Sequence, residues 1–345
     1  MSLPVVIEEM TASWLSAALD GTIESFTAEP VGTGQIGTCY RLTLRGHGVP
    51  DRVIAKLPAV DPAAREMLAN TYYGEVRFYR NIAPTVTIRR PACYFGEYGD
   101  KGAFVLLLED LAPSRQGDQL VGCTVDQARD AVVNLAGLHG PRWCDPTLLE
   151  LEGLSLNGPR DAATMAELYA PTNETFLEQI GPLLTPEDHE TLRAVPPILE
   201  AWALARTERF GLVHGDYRVD NLLFPPDGGP GAVAVDWQTL SLALPARDLA
   251  YFIGTSLEPE VRREHEQDLV AAYHSALGVD GYSLEDAFDD YVFGMVQIPL
   301  VAVFALVYGA RTERGDRMFA AMVSRGCAAM RDLGTLQLAR KLTMV

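Results

Sequence analysis

Basic residues are scarce in this 345-residue chain, and their scarcity limits the ligands that it can bind. Lysine and arginine together number 28, against 46 aspartates and glutamates, which gives a net charge of −18 at pH 7. Nucleic-acid binding needs clustered Lys and Arg, so the composition argues against a nucleic-acid partner and, in the same way, against anionic membrane surfaces. A cationic substrate would suit the charge, although acidic surfaces also serve solubility alone.

Paired cysteines and clustered histidines are missing too. The five cysteines are scattered along the chain without a close pair, and the six histidines form no metal-spaced group. This usage is typical of a reducing compartment and provides neither a disulfide framework nor a zinc site. We therefore expect a cytoplasmic protein.

No hydrophobic run long enough to cross a membrane is expected. The most apolar window, Ile298 to Val307, is too short to span a bilayer and contains Pro299, so it predicts a buried helix. No basic stretch leads into an apolar run at the start, and no signal peptide is expected. An apolar content of 48% and a charged content of 21% are typical of a globular protein, and the length allows two lobes or domains.

Strand patterns dominate up to Leu111. A short helix capped at Thr11 precedes them, and a second helix is predicted from the cap Asp61-Pro62 to about Asn81. The five candidate strands are Ile23 to Phe26, Cys39 to Leu44, Val53 to Leu57, Ala92 to Phe95 and Ala103 to Leu108. Five strands with one helix after the third are the plan of a kinase N-terminal lobe.

Helix patterns dominate after Leu111. Thr124 and Gln127 form a capping box that opens one helix, and Thr185-Pro186 opens another that is predicted to reach about Arg209. A long helix from Ser283 to Val307 is expected to break around Pro299.

The densest group of candidate catalytic residues surrounds a predicted hairpin. Asp216 precedes Asn221 by five residues, and Asp236 follows Asn221 by fifteen, which leaves room for one hairpin with its turn at 225–229. Kinases use a carboxylate that orients and deprotonates a hydroxyl, followed by two oxygen ligands for Mg²⁺. Asp216 is therefore the candidate base, and Asn221 and Asp236 are the candidate metal ligands.

Three further residues belong to the same region. Arg218, two residues past the candidate base, can touch a transferred phosphoryl group or can be a surface charge, and both interpretations stay open. His214 is predicted to be structural. Asp248 is predicted to brace the catalytic loop or to cap a helix.

A glycine-rich segment lies between the first two strands and contains Gly32, Gly34 and Gly37. Because the segment leads into a strand and not into a helix, it fits a kinase-type phosphate cover better than a dinucleotide-binding turn. Glycines there let backbone N–H groups approach nucleotide phosphates. A purely structural hairpin is the alternative.

Lys56 lies among the apolar residues of the third strand. A charge in that position is costly unless it is paired, and nucleotide phosphates together with a helix glutamate would pair it. Glu75, nineteen residues further on, is the preferred partner, and Glu66 is the competitor.

The end of the fifth strand is a candidate adenine site. Backbone N–H and C=O groups from Glu109 to Leu111 can hold the base, which leaves little side-chain signature. Glu109 and Asp110 can equally cap the turn that follows.

With these residues assembled, the chain resembles the aminoglycoside phosphotransferase and choline kinase superfamily. The resemblance rests on His214-Gly215-Asp216, on Asn221 and on Asp236-Trp237. The form Asp236-Trp237-Gln238, with Leu108-Glu109-Asp110-Leu111 and the segment 75–79, is most similar to the ecdysteroid kinase-like branch. The catalytic loop is also similar to phosphotransferase domains linked to hydroxyacyl-CoA metabolism.

The resemblance implies an α+β, bilobal, protein-kinase-like fold. Residues 1–110 would form a nucleotide-binding lobe with a five-stranded antiparallel sheet, and residues 111–345 a mostly helical lobe for catalysis and substrate binding. ATP, as the phosphoryl donor, and Mg²⁺ are the expected cofactors. The expected acceptor is a hydroxyl of a small molecule, such as an aminoglycoside-, choline- or sterol-like alcohol or a hydroxyacyl-CoA.

Two other interpretations of these residues stay open. A protein kinase fits less well, because only twelve residues separate Asp236 from Asp248 and an activation loop needs more room. A nucleotide-binding pseudoenzyme or regulatory module without turnover is the alternative from a different class.

Overall fold

The computed structural model describes residues 2–32 and 36–341, and it divides the chain into two compact units. The first unit combines Met1–Thr85, Arg90–Pro113 and Val235–Leu240. The second combines Val86–Arg89, Ser114–Ala234 and Ser241–Val345. A short segment, 235–240, thus belongs to the first unit although it interrupts the sequence of the second. The predicted boundary between residues 110 and 111 stays a prediction.

A five-stranded antiparallel sheet is the centre of the first unit, as predicted. Its order is β1-β2-β3-β5-β4. The strands are β1 (Thr22–Pro30), β2 (Gly37–His47), β3 (Arg52–Pro58), β4 (Cys93–Tyr98) and β5 (Phe104–Glu109). Three helices accompany them, namely α1 (Ala12–Ala18), α2 (Pro62–Met67) and α3 (Ala69–Arg77).

One face of this sheet is covered by α1. Thr11 caps that helix by accepting a hydrogen bond from the N–H of Trp14 at 3.1 Å, which confirms the predicted cap. Trp14 and Leu15 are buried in one hydrophobic cluster with alternate residues of the central strands, such as Leu42 and Val53. Alternation with a period of two is what a half-buried strand requires, and it made these strands recognisable in the sequence.

The prediction of one continuous helix from Asp61-Pro62 to about Asn81 was wrong, because the structure has two helices there. Leu68, with φ −90° and ψ 5°, separates α2 from α3 because its ψ lies outside the α-helical range. Beyond Arg77 the chain continues as a π-helical turn over Phe78–Ile82.

The second unit is mostly helical. Its short strands are β6 (Arg115–Gln116), β7 (Gly211–Val213), β8 (Leu222–Phe224), β9 (Val233–Ala234) and β10 (Ser241–Ala243). The predicted hairpin is confirmed, since β8 pairs antiparallel with β9. The helices are α4 (Val125–His139), α5 (Pro159–Ile180), α6 (Pro186–Arg193), α7 (Leu199–Leu204), α8 (Ala246–Ser256), α9 (Pro259–Leu277), α10 (Leu284–Gly294), α11 (Gln297–Tyr308), α12 (Glu313–Leu333) and α13 (Thr335–Arg340).

Two predicted helix boundaries differ from the structure, and proline explains both. The helix opened by Thr185 ends at Arg193, because Pro196 and Pro197 interrupt it before α7 begins. The long C-terminal helix breaks before Gln297, several residues ahead of the predicted break at Pro299. Pro299 lies in the first turn of α11, where its missing N–H would have no helical partner anyway.

The segment Leu284–Tyr308 is the most apolar part of the second unit. By its 25-residue length and its composition it meets the criterion for a membrane-crossing helix. Buried core helices meet the same criterion, and 67% of the most apolar window is buried inside the protein. Within this segment, Ile298 packs against two glycines, Gly254 of α8 and Gly326 of α12.

Candidate active site

Lys56 and Glu75 form a buried ion pair in the first unit. Lys56 projects from β3, and its Nζ lies 2.9 Å from Oε1 and 2.7 Å from Oε2 of Glu75 on α3. The side chain of Glu75 is 1% exposed and that of Lys56 13%. The structure thus places Glu75, and not Glu66, beside the lysine.

Asp236 is the second partner of this lysine. Its Oδ1 lies 3.0 Å from Lys56 Nζ, and its side chain is 40% exposed. Burial lowers the pKa of Lys56, but Asp236 and Glu75 outweigh that effect and raise the pKa above its ordinary value. Burial also raises the pKa of Glu75, with Lys56 acting in the opposite direction. The lysine is therefore a fixed positive charge in this cluster.

The residues after Asp236 pack against α3 and its π-helical turn. The ring of Trp237 stacks on Phe78 with centroids 3.7 Å apart and an interplanar angle of 9°. Gln238 Nε2 donates a hydrogen bond to Glu75 Oε2 at 3.1 Å. Asp236 itself adopts a left-handed backbone conformation, with φ 69° and ψ 72°. These contacts hold the carboxylates of Asp236 and Glu75 within 3.0 Å of Lys56 Nζ.

Two glycines of the predicted phosphate cover can be placed. Gly32 has φ +74°, a conformation that favours glycine. Gly37 opens β2, and a Cβ there would lie 2.5 Å from the carbonyl oxygen of Leu57, so the close approach of two strands requires glycine. Gly34 lies outside the described residues.

The candidate adenine segment ends β5. The N–H of Glu109 donates to the carbonyl of Ala92 at 2.8 Å, and Glu109 Oε2 accepts from the N–H of Ala92 at 3.1 Å. Leu111 follows and is half-buried. Asp110 between them accepts from the N–H of Ala112 at 3.2 Å, so the predicted capping role falls on this residue.

In the second unit, the candidate catalytic loop, residues 214–221, follows β7, and three donors surround Asp216. Arg218 Nε lies 3.0 Å from Oδ1 and 3.1 Å from Oδ2, and Asn221 Nδ2 lies 2.8 Å from Oδ2. The hydroxyl of Tyr251, on α8, donates to Oδ1 at 3.0 Å. The candidate base is therefore fixed in orientation from three sides.

Arg218 is not a solvated surface charge. Its side chain is 17% exposed, and Nη1 contacts Asp220 Oδ2 at 2.9 Å and the thioether of Met318 at 3.3 Å. Burial works against its charge, but Asp216 and Asp220 raise the pKa of Arg218 above its usual range. The remaining interpretation from the sequence, contact with a transferred phosphoryl group, stays a prediction.

The loop backbone is anchored by Asp248, as one of the two predicted roles requires. Its carboxylate accepts hydrogen bonds from the N–H groups of His214, at 2.5 Å, and Gly215, at 3.0 Å. His139 Nε2 lies 3.4 Å from the same carboxylate. His214 Nδ1 accepts from the N–H of Asp216 at 3.3 Å, in keeping with a structural role.

Asn221, in the second unit, and Asp236, in the first, each carry an oxygen donor of the kind that Mg²⁺ prefers. The amide nitrogen of Asn221 donates to the backbone carbonyl and to the carboxylate of Asp216, so the amide oxygen is the donor left for a cation. Mg²⁺ typically takes one or two protein oxygens and completes its shell with phosphate oxygens and water. Among residues 2–32 and 36–341, no group of three or more His, Cys, Asp or Glu side chains could hold a metal ion.

Sequence reasoning missed two residues of these clusters, Tyr251 and Gln238. Tyr251 follows Asp248 by three residues on α8, so both lie on one face of that helix. That spacing was a usable signal. Gln238 is the last residue of the Asp236-Trp237-Gln238 motif, but nothing in the sequence indicated which side chain it would contact.

A buried lysine–glutamate pair on a five-stranded sheet, and an aspartate oriented on a loop after a short strand, define a kinase-like phosphotransferase fold. A sequence model of the ecdysteroid kinase-like family matches residues 193–281, which contain the catalytic loop, Asp236 and α8. The predicted resemblance is thereby confirmed.

Similar proteins agree with this class. Choline kinase from Cryptosporidium parvum Iowa II has a TM-score of 0.58 at 10% identity, over 97% of this chain and 95% of that chain. The GDP complex of wild-type aminoglycoside 2'-phosphotransferase-IIIa has a TM-score of 0.54 at 14% identity, over 92% of this chain and 99% of that one. At such identities the likeness shows the fold.

A curated relative matches a shorter segment. Mouse acyl-CoA dehydrogenase family member 10 is 34% identical over 97 residues, which are 27% of this chain and 8% of the mouse protein. The match therefore spans only a small part of that relative.

Proposed function

We propose that this chain is an ATP- and Mg²⁺-dependent phosphotransferase that phosphorylates a hydroxyl group of a small molecule. The observation that carries the proposal is the Lys56–Glu75 pair, with Nζ–Oε distances of 2.7 and 2.9 Å. In kinases this strand-lysine and helix-glutamate pair must be in place before the phosphates of ATP are held productively.

Each candidate residue has a role in this proposal. Lys56 neutralises the nucleotide phosphates, and the backbone of Gly32, Gly34 and Gly37 covers them. Backbone groups of Glu109 and Leu111 hold the adenine. Asn221 and Asp236 supply oxygen ligands for Mg²⁺, which when bound would offset the charge on the phosphate oxygens.

Asp216 orients the acceptor hydroxyl and receives its proton. As the new O–P bond forms, the bond between the γ-phosphorus and the bridging oxygen breaks and ADP leaves. Arg218 can stabilise charge on the transferred group from its position beside Asp216. Positioning and charge neutralisation supply most of the acceleration in such transfers, and the base adds roughly 10²–10⁴-fold.

ADP release with Mg²⁺-ATP tests the proposal across a panel of amino alcohols, aminoglycosides, sterols and hydroxyacyl-CoAs. Asp216→Asn should reduce acceptor-dependent kcat by ~10²–10⁴-fold. Asp227→Asn is the matched control, because Asp227 is exposed in the turn between β8 and β9 and should leave kcat unchanged. Binding of ATP without turnover on any acceptor would favour a pseudoenzyme over a kinase.

A further inference from the structure

Asp216 has few free directions in which to accept a proton. A carboxylate offers about four lone-pair sites, and this one accepts from Arg218 Nε at both oxygens, from Asn221 at Oδ2 and from Tyr251 at Oδ1. Arg218 and Asn221 belong to the same loop as Asp216, so they move with it. Tyr251 comes from another element and ties the carboxylate to a helix.

That helix, α8, lies in the core of the second unit. Every residue of α8 from Ala246 to Ser256 is buried, and Tyr251 is 1% exposed. Asp248, one turn earlier on the same face, holds the loop backbone through the N–H groups of His214 and Gly215. The helix thus fixes the loop backbone through one residue and the carboxylate of the base through the other.

We propose that Tyr251 is a positioning residue, which fixes the orientation in which the Asp216 carboxylate meets the acceptor hydroxyl. The inference rests on the proposed function. Burial, together with the negative charge of Asp216, raises the pKa of Tyr251 well above its ordinary value. The phenol therefore keeps its proton over the working pH range and always donates.

Tyr251→Phe tests this role, since it removes the hydroxyl and keeps the ring. We expect kcat to fall roughly tenfold, as for the loss of one hydrogen bond to a charged group, with KM for ATP unchanged. Tyr291→Phe is the matched control. Tyr291 is fully buried and its hydroxyl donates to the carboxylate of Glu266 at 2.9 Å, away from the catalytic loop.

Both variants lose a hydrogen bond from a buried tyrosine to a carboxylate. Their melting temperatures should therefore both fall, but only Tyr251→Phe should lose kcat. In an Asp216→Asn background, Tyr251→Phe should cause no further loss, because the tyrosine acts through that carboxylate. Any of three results would overturn the inference. These are an unchanged kcat in Tyr251→Phe, equal losses of kcat in Tyr251→Phe and Tyr291→Phe, and additive losses of kcat in the variant that combines Asp216→Asn with Tyr251→Phe. Absence of wild-type turnover on the whole panel would instead overturn the proposed function.

Discussion

Glu75 depends on the charge of Lys56 to tolerate its burial, whereas Lys56 has Asp236 as a second partner. Removing one charge of a buried pair leaves the other without compensation, at a cost of ~3–5 kcal/mol. Because Asp236 is half-exposed, it can be solvated when the lysine is lost, whereas Glu75 cannot. The energetic penalty of losing Lys56 therefore falls on Glu75.

Lys56→Met should lower the free energy of unfolding by about 3 kcal/mol. Adding Glu75→Gln should restore part of the loss, since the amide needs no counter-charge. Urea denaturation of the two single variants and the double variant measures the coupling. Additive effects would contradict the pairing as the source of the penalty.

Cys39 faces the same cluster, because it pairs with Lys56 in the register of β2 and β3. Burial raises the pKa of Cys39 to about 11, and Lys56 acts in the opposite direction. The thiol is therefore largely protonated at neutral pH.

The rate of alkylation of Cys39 by iodoacetamide should rise about tenfold per pH unit from pH 7 to 10 without levelling off, whereas the rate for free cysteine levels off above its pKa of about 8.5. Peptide mass spectrometry resolves this site, and a plateau below pH 9 would refute the expectation.

Among the elements, α11 packs closely against glycines of two neighbouring helices, α8 and α12. A Cβ on Gly326 would lie 2.5 Å from Cγ2 of Ile298, while a Cβ on Gly74, in α3, would lie 3.7 Å from the carbonyl oxygen of Gln238, its nearest contact beyond its own helix. Both glycines lie inside helices, so alanine gains the same helix propensity at either position. Only the packing differs.

Gly326→Ala should therefore destabilise the protein by ~1–3 kcal/mol through overpacking. Gly74→Ala should stabilise it by about 0.5–1 kcal/mol through helix propensity. Thermal and urea denaturation measure both. Opposite signs are the expected result, and a loss of stability in both variants would mean that the space around Gly74 is tighter than described.

The elements themselves were largely predictable. The capping box of Thr124 and Gln127 and the alternation of β2 and β3 are local signals that fix an element within a few residues. The break before Gln297 had a local signal in Pro299 and was misplaced by only a few residues, whereas the break at Leu68 has no comparable signal. The break at Leu68 was missed because a turn inside a helical pattern depends on packing partners that are distant in sequence.

The candidate site was predictable where spacing carries information. Lys56 and Glu75 were found through strand and helix patterns, and the structure places them together. Tyr251 and Gln238 were not found, since their contacts with Asp216 and Glu75 join residues 35 and 163 positions apart. No spacing rule links Gln238 to Glu75, whereas the three-residue spacing of Tyr251 from Asp248 on α8 was a usable signal for the tyrosine.

For the whole molecule, nucleotide binding should raise the free energy of unfolding. A ligand that binds only the folded state at 100 times its Kd adds about 2.7 kcal/mol to the free energy of unfolding. Mg²⁺-ATP should have this effect on the wild type, and chelation of Mg²⁺ should reduce it. At the same concentration Lys56→Met should gain less, because it lacks the charge proposed to hold the phosphates. An equal gain in both proteins would remove Lys56 from the nucleotide site.

The membership of Val235–Leu240 in the first unit has a consequence for synthesis on the ribosome. Chains emerge N-terminus first, at ~5–20 residues per second. Phe78 is made early, but Trp237, the ring that covers it, is made more than 120 residues after Pro113. For several seconds the nascent first unit therefore lacks part of its own core. During that time the ring of Phe78 stays uncovered and is an apolar surface that a chaperone can bind.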